Sequence, residues 1–203
     1  MPVPRKTPPD MLERRRFLFG VSAAGATLLM AAPGAGAGTV TERLQAASFA
    51  VPGDPPRWLE LLNTHTSESL QVAYRSASGL VTPALDRLQW LLRDHRSDEA
   101  ASIDVGLYDQ LAALAVAAGV EPRYEVISGY RSPRTNAALQ AAGRGVATRS
   151  LHTQGRAIDV RLRGVSCSVL RDLAIEAACG GVGYYRSSDF VHLDTGRVRR
   201  WAG

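Results

Sequence analysis

The apolar positions of this chain change period along its length, and each change marks an element. In "RWLELLNTHTSESLQVAYRS", residues 57–76, short apolar runs flank a polar centre at Thr66-Ser67. That layout predicts two strands around a turn. Pro83 follows Thr82 at a favourable first helical position. Leu85, Leu88, Leu91 and Leu92 then recur on one helical stripe. "DVGLYDQLAALAVAAG" repeats the helical period and stops at Gly119. "YEVISGYRS" reads as a short strand entering a glycine turn. "SPRTNAALQAAG" reads as a helix with Pro133 near its start and Gly143 at its stop. "RAIDVRL" alternates as a strand does, and "SCSVLRDLAIEAACGG" reads as one helix capped by Ser166 or Ser168 and stopped at Gly180. "GVGYYRSSDFVHLDTG" predicts two more strands around Ser187-Ser188. The order is strands, helices, strand, helix, strand, helix, strands. It predicts an α+β domain over residues 57–203: a small, mostly antiparallel sheet with helices packed on one side.

The first residues follow a different logic. Arg14, Arg15 and Arg16 precede an apolar stretch of small residues from Phe17 to Ala32, and Ala35-Gly36-Ala37 offers a cleavage site. This is the layout of an export signal over residues 1–37. Arg14-Arg15-x-Phe17-Leu18 resembles the twin-arginine signal, an address that a receptor reads and not an anchor. The stretch falls short of the ~20 apolar residues that a membrane span requires. We therefore expect export to the periplasm or cell envelope, without stable membrane insertion after signal removal, and a monomer. Residues 38–56 are small, polar and proline-rich, and read as a linker.

Charge changes the picture little. The net charge is +5, but Arg5, Lys6, Arg14, Arg15 and Arg16 lie in the signal against only Asp10 and Glu13. The rest holds 19 basic and 17 acidic residues, which gives no footprint for nucleic acid. Cys167 and Cys179 bracket the last predicted helix. Twelve helical residues span ~18 Å, beyond the ~7 Å limit between bridged Cα atoms. We expect no bridge and two buried thiols.

The candidate chemistry lies in the histidines. His152 precedes the "RAIDVRL" strand that carries Asp159, and His192 lies on the last predicted strand, "FVHLD". If these strands are neighbours, His152, Asp159 and His192 meet on one face. Two imidazoles and a carboxylate with an open fourth position suit a catalytic zinc. On spacing alone, such residues are more commonly surface or core groups. A proton-handling carboxylate is also needed. Asp194 shares strand parity with His192. Asp189 has the opposite parity but lies at the turn, where a bulge can re-aim it. His65 and His95 are not expected to be ligands. His95 follows a helix in a charged segment, where it suits a C-terminal helix charge.

"SGYRS", "SLHTQGRAIDVRL" and "FVHLDTGR" together sharpen this reading. They resemble the zinc peptidases grouped with lysostaphin, the D-Ala-D-Ala metallopeptidases and sonic hedgehog, and most closely the exported murein endopeptidase branch. Ser150, His152, Gly155, Ala157 and Asp159 fill the pattern S-x-H-x-x-G-x-A-x-D, and "LNTHTSE" and "GGVGYY" look like further landmarks. The resemblance covers residues 57–201. It implies a hedgehog-like or D-Ala-D-Ala-peptidase-like fold, Zn2+ held by His152, Asp159 and His192, and Arg131 near the substrate carbonyl. It implies hydrolysis of peptide bonds in peptidoglycan cross-links or stem peptides, with a zinc-activated water as nucleophile. The carboxypeptidase members place a glutamate base three residues before the last ligand. Here that position is Asp189, one methylene shorter, which leaves Asp194 as the competing base. A metal-containing wall-binding module without turnover, and a D,D-carboxypeptidase, are the alternatives.

Overall fold

The computed structural model describes residues 56–203. The predicted signal and all but the last residue of the predicted linker lie outside the described residues. Among the described residues the chain forms eight strands and four α-helices. The strands are β1 Arg57–Asn63, β2 Ser69–Ser76, β3 Gly79–Leu80, β4 Arg123–Ser128, β5 Ala157–Leu162, β6 Gly181–Tyr185, β7 Phe190–Asp194 and β8 Arg199–Ala202. The helices are α1 Thr82–Leu91, α2 Val105–Ala118, α3 Pro133–Ala141 and α4 Cys167–Ala177. A 3-10 turn, Leu151–Gln154, leads into β5.

One sheet holds all eight strands in the order β3-β2-β1-β4-β5-β7-β6-β8. The α+β class stands, but the sheet is mixed: β1 pairs with β4, and β6 with β8, in parallel. β1 reaches β4 only after β2, β3, α1 and α2, and a crossover of that length delivers parallel strands. β3 and β8 are edge strands that the sequence pattern did not announce.

The two faces of the sheet differ. Leu59 and Leu61 of β1, Tyr124 and Val126 of β4, Ile158, Val160 and Leu162 of β5, and Val191 and Leu193 of β7 enter one core. Leu88 and Leu91 of α1, Leu107, Leu111 and Leu114 of α2, and Leu170 of α4 meet them there. α3 adds nothing to that cluster. Because side chains alternate across a strand, Asp159, His192 and Asp194 point to the other face. In β4 a register shift pairs Val126 with Val160 and Ser128 with Asp159. The bulge thereby moves Ser128 onto the face of Asp159.

Local chemistry sets the helix ends. Asp104 accepts from the Gly106 N–H at 2.9 Å, and Gly119 closes α2 in the left-handed region, φ 71°. The hydroxyls of Ser132 and Ser166 accept from Thr135 N–H and Val169 N–H to start α3 and α4. α1 begins at Thr82 with Val81 as its cap and no side-chain cap bond, and it ends at Leu91, before "RDHR". There the Asp94 carboxylate accepts from the Arg96 N–H (3.0 Å) and the Ser132 N–H (2.9 Å), which competes with helical pairing. Both cysteines are free; Cys167 is buried, but Cys179 is exposed, because α4 stops at Ala178 in the left-handed region before reaching it.

Candidate metal centre

Three elements deliver three donors to the open face. Asp159 and His192 are direct cross-strand partners on β5 and β7, so their side chains project side by side. His152 arrives from the 3-10 turn, which Gly155 closes at φ 65°. A Cβ on Gly155 would meet the Ser102 carbonyl oxygen at 2.0 Å. Only glycine lets the chain turn here with the Ser102 backbone so close.

His152 Nε2, Asp159 Oδ1 and His192 Nδ1 converge. His152 Nε2 lies 3.2 Å from His192 Nδ1 and 3.3 Å from Asp159 Oδ1, and His192 Nδ1 lies 2.9 Å from Asp159 Oδ1. Donors about 2.0–2.2 Å from a tetrahedral ion stand roughly 3.3–3.5 Å from one another, so the trio fits one ion with little adjustment. The second nitrogen of each ring is anchored. His152 Nδ1–H donates to the Gly129 carbonyl at 2.7 Å, and His192 Nε2–H donates to Asp194 Oδ2 at 3.1 Å. These bonds fix the tautomers that leave Nε2 of His152 and Nδ1 of His192 for a ligand. All three residues are buried.

The electrostatics follow from the crowding. Burial opposes the charge on Asp159, but the two imidazoles overcome it and hold the carboxyl below the usual range. Burial also opposes charge on His192, yet hydrogen bonds to Asp159 and Asp194 raise it to about 9.

Arg131 is held by its own N–H, which donates to the His152 carbonyl at 3.1 Å. Its side chain is buried, with long 3.4 Å bonds to Asn136 Oδ1 and Ser128 Oγ, while its Nε has no hydrogen-bond partner among the described residues. Desolvation lowers its pKa, and the Asp159 charge works against that. Arg131 and the three converging residues line a groove of about 500 Å³, which also includes Tyr185, Phe190, Trp201 and the segment 144–151.

The two candidate bases lie elsewhere. The Asp194 side chain has no exposed surface. Oδ1 accepts from the N–H groups of Gly181 (3.0 Å) and Gly196 (2.8 Å), and Oδ2 accepts from His192 Nε2–H and Arg199 Nη2–H (2.7 Å). Those bonds hold its carboxyl well below the usual range against burial. Asp189 is mostly exposed, sits at φ 49° in the β6–β7 turn, and lines a different cleft beside Arg161. Neither faces the groove. His65 and His95 are not with the ligands; their rings stack at 3.9 Å. His95 is no helix charge: burial, then His65 and Arg96, lower its pKa to about 4.

Sequence reasoning missed the supports. Trp201 of β8 lies 5.1 Å from the His192 ring and donates from Nε1 to the Tyr185 hydroxyl at 3.1 Å. It covers Gly183, where a Cβ would meet the indole at 2.6 Å. Gly183 pairs with both His192 and Trp201, so the signal was the glycine of "GVGYY" facing a ligand strand.

Comparison with known proteins agrees with this architecture. Residues 51–201 match the family described as peptidoglycan L,D-endopeptidase MepK. The peptidoglycan L,D-endopeptidase MepK of Escherichia coli strain K12 is 43% identical over 159 residues, which is 78% of this chain and 87% of that protein. The Shigella flexneri protein of the same name matches equally. The probable peptidoglycan L,D-endopeptidase MepK of Haemophilus influenzae is 39% identical over 149 residues, 73% of this chain and 80% of its own length. With a buried His-Asp-His trio at coordination spacing and a family match over residues 51–201, this chain belongs to the MepK family of peptidases.

Proposed function

We propose that this chain is an exported, zinc-dependent endopeptidase that hydrolyses an amide bond in the cross-links or stem peptides of peptidoglycan. The observation that carries the reading is the trio itself: three donors within 3.3 Å of one another, on the floor of an open groove, beside a buried and under-bonded arginine. His152, Asp159 and His192 would hold the ion. Bound there, zinc would supply Lewis acidity toward a substrate carbonyl and would make a water molecule more acidic. Arg131 contributes a fixed guanidinium with an unpaired N–H. It orients the carbonyl and stabilises the oxyanion that develops there. Gly129 and Asp194 keep both imidazoles in the ligating tautomer. The arrangement of Asp194 supports positioning over proton transfer, and Asp189 reaches the groove only if the β6–β7 turn rearranges. The Tyr185 hydroxyl accepts from Trp201 Nε1–H, which leaves its own O–H free to donate into the groove.

Export is supported by the twin-arginine pattern near residue 14. No helix among the described residues is long and apolar enough to cross a membrane.

One observation favours a second reading. Among the described residues, Asp159 is the only carboxylate lining the groove, as in a metal-containing wall-binding module that lacks a base. Digestion of purified muropeptides by the zinc-loaded protein, read by mass spectrometry, separates the two. We expect cross-linked dimers to yield monomers, with activity lost on chelation and in His152→Ala. Dimers left intact across pH and metal conditions, while still bound, would overturn the endopeptidase reading in favour of the module.

A further inference from the structure

The groove carries positive charge that its own side chains do not balance. Among the described residues, Arg131, Arg144, Arg149 and Arg199 line it against one carboxylate, that of Asp159. Arg199 is committed to Asp194 through bonds of 3.1 and 2.7 Å. Arg131 lies deep, beside the ligands. Arg144 and Arg149 differ from both. They are exposed, and their guanidinium groups have no hydrogen-bond or ion-pair partner among the described residues. Several other arginines of the domain sit on acids, among them Arg75 on Asp109, Arg93 on Glu68 and Arg123 on Glu60; Arg87, Arg96, Arg134, Arg186, Arg197 and Arg200 are exposed without such a partner among the described residues, but none of them lines the groove.

Both arginines belong to the loop 142–149 between α3 and the 3-10 turn, and that loop is tied down. Asn136 Nδ2 donates to the Ala147 carbonyl at 3.1 Å, and Gln140 Nε2 donates to Thr148 Oγ1 at 2.9 Å. Asn136 is also the residue whose Oδ1 accepts from Arg131. One buried amide therefore sets the loop against the deep arginine. Two free guanidinium groups held at the rim of a peptide-cleaving groove are suited to planar anions, and to carboxylates above all.

We infer that Arg144 and Arg149 form a specificity subsite for a carboxylate carried by the substrate peptide near the bond to be cut. That the ligand is a peptide stem rests on the peptidase reading above; the preference for a carboxylate rests on the loop.

The test uses two fluorescent stem peptides, identical except that one carries a free side-chain carboxylate and the other a carboxamide. Their affinities are measured by anisotropy with wild-type protein held metal-free by a chelator, so that no bond is cut. The carboxylate peptide should bind about tenfold more tightly at low salt. Its advantage should fall toward unity in R144Q/R149Q and at about 0.5 M NaCl, and survive in part in R144K/R149K. Equal affinities in the wild type, or an advantage untouched by R144Q/R149Q, would overturn the subsite. Incubation of both peptides with zinc-loaded wild type separates the two claims. Carboxylate preference without cleavage sinks the peptidase and leaves the subsite standing. Cleavage without preference does the reverse.

Discussion

Asp194→Asn keeps the side chain's shape, removes its charge and tests what that residue does. In the native arrangement Asp194 Oδ1 takes the Gly181 and Gly196 N–H groups, and Oδ2 takes His192 Nε2–H and Arg199 Nη2–H. An asparagine must keep its oxygen toward the two backbone donors. Its amide nitrogen then falls where Oδ2 was and opposes two N–H donors. His192 either loses its partner or moves its proton to Nδ1, the atom that faces His152 Nε2 and Asp159 Oδ1. Losing a charge-assisted bond of this kind costs about 1.5–3 kcal/mol, and such outer partners set metal affinity by about 10–100-fold. The two estimates agree, since 1.4 kcal/mol is tenfold. Zinc competition against a chromophoric chelator should therefore show weaker binding by about 10–100-fold, with most turnover restored at saturating zinc. A base would behave oppositely: unchanged zinc affinity, and kcat lower by about 10²–10⁴ at saturating metal. That second result would refute the positioning role. Asp194→Ala is the poorer probe. It strands two backbone donors and the His192 N–H, and should lower global stability by about 3–5 kcal/mol.

Gly155→Ala adds a Cβ 2.0 Å from the Ser102 carbonyl oxygen at a left-handed position; urea denaturation should show a loss of about 2–4 kcal/mol, with zinc affinity falling as well because the 152–159 connection shifts. His95→Phe should reduce acid sensitivity. The His95 pKa is near 4 in the folded protein against an ordinary 6.5, so stability is complete above 6.5 and is lost as pH falls from 6.5 toward 4, where only the unfolded chain takes up the proton. Unfolding free energies from urea titrations across that window should fall by about 1–2 kcal/mol more in wild type than in His95→Phe, allowing for partial exposure.

Much of this was legible because it depends on local period. The first hairpin, α2 with its Gly119 stop and α4 with its Ser166 cap follow rules that act within one turn or strand. Strand parity also placed His192 and Asp194 on one face. It could not show what closes over Asp194, because Gly181, Gly196 and Arg199 reach it through pairing and turns that no local pattern encodes. The same limit hid the parallel β1–β4 pairing, the arrival of β8 and the tie of the 142–149 loop to α3. His95 misled for a related reason: the helical stripe ran to Leu92, but Asp94 turned the chain to cap the segment that carries Arg131.

The distribution of roles over the sheet explains why the site tolerates so much buried charge. Strand alternation sends Ile158, Val160, Val191 and Leu193 into the helix-covered core and, from the same strands, Asp159, His192 and Asp194 to the other face. The backbone that carries the ligands is thus clamped by apolar burial on the opposite side, at about 25 cal/mol for each Å² removed from water. Buried ionic groups gain little net stability from one another once their desolvation is counted. What holds an acid between two imidazoles here is therefore the helix-packed face behind it. A core substitution such as Val191→Ala, whose side chain lies on the face opposite the trio, should loosen metal binding as well as the fold.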